Sequence, residues 1–195
     1  MTRKIHLIRH SLTEANEKKL YCGATDMPLS ANGVKLALEM AKKYTCPPIA
    51  GARVYTSGLK RADETLRLLY GDVDFKAVPY LSEMNFGVYE LKSYDELKAD
   101  PEYLGWLGNE SVSCRGGESA REMRGRVFRG FDALLSADGG DALVLCHGGV
   151  IAAVMDRFFP REGKSRYEWQ PRANEGYTLF FENGRAAGYR KIPEV

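Results

Sequence analysis

The sequence predicts an α/β protein: a three-layer α/β/α sandwich around a mostly parallel sheet, with an antiparallel hairpin at its C-terminal edge. Three observations carry this reading. Short apolar runs alternate with segments of helical period, the pattern that lays helices against a mainly parallel sheet. The most apolar run, Ala142 to Cys146, passes through Gly148-Gly149 into the next helical segment, a strand-to-helix turn. Near the end, Asn183-Gly184 separates two strand-like segments, and that dipeptide favours the φ > 0 turn of a two-residue hairpin.

Taken in order, Lys4 to Arg9 is a short apolar run fit for a buried strand. Ser30 then precedes Ala31 to Tyr44, where Val34, Leu38, Ala41 and Tyr44 recur at helical spacing behind a serine cap. Arg53 to Ser57 is a second strand and Leu59 to Tyr70 a helix. The stretch from about Glu83 to Gly117 is irregular and aromatic and is expected to form a cap over one end of the sheet. Glu118 to Leu135 reads as a helix, Ala142 to Cys146 as a strand buried on both faces, and Gly148 to Phe159 as a helix. Tyr177 to Glu182 and Arg185 to Arg190 make the final hairpin. No repeat or Ser/Gly/Pro-rich linker divides the chain, so residues 1–195 are expected to form one domain, with 83–117 as its small cap.

Composition narrows the function. The 195 residues are 44% hydrophobic and 28% charged, which excludes collagen-like, low-complexity and largely disordered chains. Lys and Arg total 28 against 26 Asp and Glu, so charge balance argues against a nucleic-acid or membrane-surface partner. No apolar run approaches the roughly 18 residues of a membrane span, and the apolar stretch at 5–8 is too short for a secretory signal. A cytoplasmic protein is expected. Cys22, Cys46, Cys114 and Cys146 form no C-x-x-C pair and are read as reduced thiols. Only three histidines are present, His6, His10 and His147, so no metal site and no cofactor are expected.

Several nucleophile and phosphate motifs are absent. Gly163-Lys164-Ser165 resembles the tail of a P-loop, but Phe158 stands where that loop needs glycine. There is no G-x-S-x-G. No cysteine has an arginine six residues on to close a phosphate cradle; Pro28, Ala52, Ala120 and Ala152 stand there. What remains lies at strand ends. Arg9-His10 follows the first strand, where open α/β sheets place ligands. His147-Gly148-Gly149 follows the strand at 142–146, and its glycines let backbone N–H groups approach an anion at a helix N-terminus. Arg61, in the first turn of the helix after the second strand, should face the same rim.

These residues resemble the histidine phosphatase superfamily, in its phosphoglycerate-mutase-like branch. Leu7-Ile8-Arg9-His10-Ser11-Leu12-Thr13-Glu14-Ala15-Asn16 is similar to the family's opening motif. Gly23, Asp26, Pro28-Leu29-Ser30 and Gly33 resemble the segment after it, and Thr56-Ser57-Gly58-Leu59-Lys60-Arg61-Ala62 with Thr65 the second motif. Leu81-Ser82-Glu83 with Phe86-Gly87 and Glu90 resembles the third, and His147-Gly148-Gly149 the fourth. Three positions depart from the pattern. Ser11 replaces a usual glycine, Leu91 replaces another, and Glu64 stands where glutamine is common. Ser11 places a hydroxyl close to the nucleophile, where it is expected to donate to phosphate or narrow the site.

The resemblance implies the roles. His10 attacks phosphorus and forms a phosphohistidine. Arg9, Arg61 and His147, with Asn16 and the Gly148 backbone, bind the phosphoryl group, and Glu83 protonates the leaving oxygen and then activates water. The implied activity is a metal-independent phosphatase acting on a small phosphorylated metabolite. Met84-Asn85-Phe86-Gly87-Val88-Tyr89-Glu90 and Gly116-Gly117-Glu118-Ser119 are similar to α-ribazole phosphatases, which points to α-ribazole 5'-phosphate. The alternatives are a phosphoglycerate mutase, a sugar-bisphosphate phosphatase, or an inactive relative that only binds. Mutases resembling these motifs carry a longer segment between the acid glutamate and the second histidine than the one between Glu83 and His147. Tyr89, Tyr94, Tyr103 and Trp106 read equally as cap packing or as a wall for an organic leaving group. Cys22 is a candidate for the pocket lining, and Cys146 and His6 are read as structural.

Overall fold

The computed structural model describes residues 2–137 and 140–193. Its centre is a six-stranded sheet of β1 (Thr2–Arg9), β2 (Arg53–Thr56), β3 (Lys76–Ala77), β4 (Ala142–Cys146), β5 (Gly176–Glu182) and β6 (Arg185–Ile192). The strand order is β3-β2-β4-β1-β5-β6. The first four are parallel, whereas β5 runs antiparallel to β1 and β6 antiparallel to β5. Asn183 (φ 49°) and Gly184 (φ 77°) both take the left-handed region, which gives the hairpin turn expected of that dipeptide.

Alternation along the central strands makes the sandwich. Ile5 and Leu7 of β1 and Ala142, Val144 and Cys146 of β4 face one core. Ile8, Leu143 and Leu145 face the other. The first core is closed by α6 (Ala120–Ser136) and α7 (Gly148–Phe158). Met123, Val127, Phe131 and Leu134 form the buried stripe of α6, and a Ser119–Glu122 capping box starts that helix. The second core is closed by α3 (Lys60–Tyr70) through Ala62 and Leu66, and α2 (Ala31–Lys43) packs on α3.

The cap is more ordered than expected. It holds α4 (Tyr94–Leu97) and α5 (Pro101–Gly108), each started by its own side-chain cap, Ser93 and Asp100. Tyr89, Leu97, Tyr103, Trp106 and Cys114 make a third, aromatic core there. The cap is sewn to the loop after α1 (Glu14–Glu17) by the Leu20–Ser93 bridge and by backbone bonds between Tyr21 and residues 91–92. Leu91, which replaces a usual glycine, sits at φ 60°, a conformation that costs a branched residue roughly 1–2 kcal/mol. The edge strand β3 and the short α1 and α8 (Arg166–Trp169) are invisible in the sequence, because two to four residues carry no readable period. Among the described residues, no helix is long and apolar enough to cross a membrane.

Candidate active site

Three adjacent parallel strands end at one rim. Arg9 pairs with Cys146, and the His10 N–H donates to the Cys146 carbonyl at 3.0 Å, so His10 and His147 leave neighbouring strands side by side. Their ring centroids are 5.0 Å apart at 62°. β2 flanks β4 on its other side, and the Ser57 N–H donates to the Leu145 carbonyl at 3.1 Å. That brings the Ser57 hydroxyl within 2.8 Å of His147 Nε2. Arg61 arrives from the first turn of α3 and is fully buried.

The His10 tautomer follows from its partner. Nδ1 lies 2.6 Å from the Ser11 carbonyl, which can only accept, so Nδ1 holds the proton and Nε2 keeps its lone pair. Burial, reinforced by the charges of Arg61 and Arg9, pushes this imidazole well below the ordinary histidine value of 6.5. His147 is lowered in the same way, by burial first and then by Arg61, His10 and Arg9. Burial beside two guanidiniums thus favours the neutral form of both rings. The His147 Nδ1 is buried without a partner.

The guanidiniums supply the charge. Arg61 Nη1 and Nη2 donate to the Thr25 and Gly23 carbonyls at 2.9 and 2.7 Å, and Arg9 Nη1 donates to the Pro171 carbonyl at 2.8 Å. The Nε of each is buried and unpartnered. Neither takes part in any ion pair among the described residues. Burial lowers the Arg9 pKa, and Glu83 opposes that shift. Two cations, Arg61 fully buried and Arg9 half-buried, without a contacting anion form a site that attracts one.

Glu83 approaches from the cap. Its Oε2 accepts from the Gly149 N–H at 2.9 Å, in the first turn of α7, and Oε1 from the Met84 N–H at 2.9 Å. A Cβ on Gly149 would lie 2.5 Å from Glu83 Oε1, so glycine is required for this approach. The Gly149 N–H of this helix start is therefore engaged by the Glu83 side chain. Gly148 serves differently: Arg9 lies across it, its Cζ 3.3 Å from where a Cβ would be. Arg126 of α6 clamps the acid-bearing segment, donating to the carbonyls of Tyr80, Ser82 and Glu83 while paired with Glu118.

Arg9, Asn16, Cys22, Glu83 and Gly149 line a cleft of about 520 Å³, and its outer wall includes Tyr21, Phe86, Trp106, Arg124 and Tyr167. His10, Arg61 and His147 lie beneath that lining, out of solvent. Asn16 Oδ1 is occupied by the Thr13 N–H and hydroxyl. Cys22 joins the wall as expected, and Cys146 and His6 are buried, His6 against the Thr178 hydroxyl. Of the cap aromatics, Tyr89 and Tyr103 are packing, Tyr94 is exposed, and Trp106 both packs and lines the cleft.

Ser11 requires a correction. Its hydroxyl points into the body of the protein, donating to the Gly33 carbonyl at 2.7 Å and accepting from Asn174 Nδ2 at 3.1 Å. It neither lines the cleft nor narrows it. Glu64 accepts from the Leu29 N–H at 2.8 Å, a task a glutamine oxygen would also perform. Sequence reasoning missed Ser57, Arg126 and the role of Glu90. Ser57 and Glu90 lie inside quoted motifs, but Arg126 stands among five arginines in 115–129 with nothing local to single it out.

Comparison with known proteins gives the family and the fold. The family model of the histidine phosphatase superfamily (branch 1) matches residues 5–186. The adenosylcobalamin/alpha-ribazole phosphatase of Salmonella typhimurium is 30% identical over 180 residues, covering 89% of this chain and 87% of that protein. A 2,3-bisphosphoglycerate-dependent phosphoglycerate mutase of Bradyrhizobium diazoefficiens is 29% identical over 164 residues, covering 78% of this chain and 79% of that protein. The crystal structure of the alpha-ribazole phosphatase from Shigella flexneri superposes with a TM-score of 0.81 at 26% identity, over 94% of this chain and 93% of that one.

Proposed function

The chain belongs to the histidine phosphatase superfamily, and from that premise we propose that it hydrolyses a phosphomonoester of a small metabolite through a phosphohistidine at His10. One observation carries the reading: His10, its Nδ1 proton pinned to the Ser11 carbonyl, presents a free Nε2 beside two guanidiniums, Arg61 buried and Arg9 half-buried, that contact no carboxylate. A phosphomonoester is a dianion, and a neutral nucleophile reaches its phosphorus only where fixed cations offset that charge.

In the first half-reaction Nε2 bonds to phosphorus as the ester P–O bond breaks, and Glu83 gives its proton to the departing oxygen. The ring becomes cationic, and the Ser11 carbonyl holds the Nδ1 proton through that change. In the second, the Glu83 carboxylate takes a proton from water, the water oxygen bonds to phosphorus, and the P–N bond breaks, returning neutral His10. Arg9 and Arg61 hold the phosphoryl oxygens through donors not committed to carbonyls, assisted by His147 and the Asn16 amide. The charge needed is supplied by side chains, so a chelator is expected to leave turnover intact.

The alpha-ribazole phosphatase relatives make α-ribazole 5'-phosphate the first substrate to try. A mutase is the second reading, favoured by relatives of that name. A panel of phosphorylated metabolites containing α-ribazole 5'-phosphate and 3-phosphoglycerate, the latter with and without 2,3-bisphosphoglycerate, separates them. Release of inorganic phosphate is expected. Isomerisation of 3-phosphoglycerate without net release would establish the mutase reading instead.

A further inference from the structure

Glu90 lies in the cap, outside the lining of the cleft, and yet its carboxylate is the most heavily used acceptor near the site. It receives the N–H groups of Gly23 at 3.1 Å, Ala24 at 2.9 Å, Thr25 at 3.2 Å and Phe86 at 3.0 Å. Three of these donors are consecutive, and they belong to the loop whose Gly23 and Thr25 carbonyls orient Arg61. The peptide between Gly23 and Ala24 is shared: its N–H points at Glu90 Oε1 and its carbonyl, 2.7 Å from Arg61 Nη2, points the opposite way. A trans peptide carries a dipole along that line, so a negative charge at one end and a positive charge at the other both stabilise it. The approach is close enough to exclude a side chain at position 23, where a Cβ would lie 1.6 Å from the Met84 carbonyl oxygen and 2.8 Å from Glu90 Oε1.

We propose that Glu90 is the counter-ion of Arg61, acting through the Gly23–Ala24 peptide, and is thereby a positioning residue for phosphoryl binding. The arrangement solves a conflict. A carboxylate in direct contact with Arg61 would neutralise it and occupy the donors that phosphate needs. One peptide away, the same carboxylate compensates the buried charge and fixes the plane of the fork while leaving Nε and the free Nη hydrogens to the ligand. Through the Phe86 N–H, Glu90 also joins this loop to the segment that carries Glu83.

The consequence for binding rests on the phosphoryl-transfer reading, but the test does not depend on turnover. Affinity for inorganic phosphate is measured by calorimetry in the wild type, Glu90→Gln, Arg61→Met and the double variant, each checked for folding by thermal melting. Glu90→Gln is expected to weaken phosphate roughly tenfold, the size of coupling seen within one charged network, and to add no more than about twofold once Arg61 is gone. Glu90→Asp, which keeps the charge on a shorter arm, should fall between and serves if the glutamine variant does not fold. Losses that add independently in the double variant would overturn the assignment, as would unchanged affinity in Glu90→Gln or no phosphate binding by the wild type. Wild-type hydrolysis alongside an indifferent Glu90→Gln sinks the counter-ion and leaves the phosphatase reading standing. Coupled phosphate binding without any turnover does the reverse.

Discussion

At the strand-end pole of the cleft, His10 is 4% exposed and Arg61 and His147 are fully buried, each tied to a group from another part of the chain or to the carbonyl of the next residue. At the outer pole Tyr167 is 65% exposed, and Arg124 reaches Glu110 across an ion pair whose carboxylate lies at the surface. The first pole is held by parallel strands whose register leaves no freedom to the residues that follow them. The second stands on α5, α8, the first turns of α6 and the turns of the cap, where aromatic packing sets much of the placement. Chemistry common to all phosphomonoesters belongs where geometry is fixed in advance, and recognition of one leaving group belongs where loops and short helices vary at small cost.

The largest effect should come from the buried pole. His10→Ala is expected to lower turnover by roughly 10⁴-fold or more, as loss of a covalent nucleophile does. Phosphate stable to alkali and labile to acid should be trapped on the wild type and absent from the variant. Retained turnover in His10→Ala would place the nucleophile elsewhere and dissolve the contrast between the poles.

Glu83 stands between the two, in the cap by sequence and on Gly149 by contact. If it protonates the leaving oxygen, its importance grows with the basicity of that oxygen. Glu83→Gln should cost about 10²–10⁴-fold for alkyl phosphates and much less for p-nitrophenyl phosphate, whose phenolate departs unaided. The phosphorylation step must be isolated in single turnovers, because the proposed reaction uses Glu83 in the water step as well. Equal losses for both substrates would reduce Glu83 to a wall of the pocket.

The two poles also differ in how much the sequence discloses of them. Ala142 to Cys146 announces itself by uninterrupted apolarity, and His10, Arg61 and His147 are found because each stands one to four residues beyond such a strand. Leu91 and Ser11 could be flagged as departures from a pattern, but their consequences depend on partners remote in the chain: Tyr21 for Leu91, and Gly33 and Asn174 for Ser11. Arg126 was unreadable for a similar reason. Its targets are backbone carbonyls 43 to 46 residues away, and carbonyls leave no mark in a sequence. The cap was legible as aromatic and irregular, but one cluster of rings serves equally as packing and as a wall until its neighbours are in place.

A smaller effect is expected at the outer pole. Tyr167 lines the mouth of the cleft and its hydroxyl accepts from Arg166 at 2.9 Å. Tyr167→Ala should raise KM a few-fold for a phosphomonoester with an aromatic leaving group and leave kcat unchanged, the signature of binding shared by ground and transition states. A small alkyl phosphate should show no change. A fall in kcat common to both substrates would mean that the outer wall reaches the chemistry, and the division between the poles would have to be redrawn.

The smallest effect on turnover is expected at the residue adjoining His10. Ser11 looks like part of the phosphate site, but its hydroxyl is engaged on the far side by the Gly33 carbonyl and the Asn174 amide. A Cβ on Gly33 would lie 2.0 Å from the Leu12 carbonyl oxygen, so the backbone here is packed too tightly for another group to replace the lost bonds. Ser11→Ala takes one of two donors from the Gly33 carbonyl and leaves the buried Asn174 amide N–H unpaired, at a cost of about 1–3 kcal/mol. In a chain of this size, each kcal/mol lowers the melting temperature by about 2–4 °C. Ser11→Gly should melt lower still, because it adds backbone entropy to the unfolded chain. Both variants should keep kcat/KM within about twofold of the wild type, measured well below their melting temperatures, since the His10 Nδ1 bond uses the residue 11 carbonyl and needs no side chain. The opposite pattern, an unchanged melting temperature with a tenfold rise in KM, would mean that the hydroxyl swings to the phosphate on binding. Ser11 would then belong to the catalytic pole in function as well as in position.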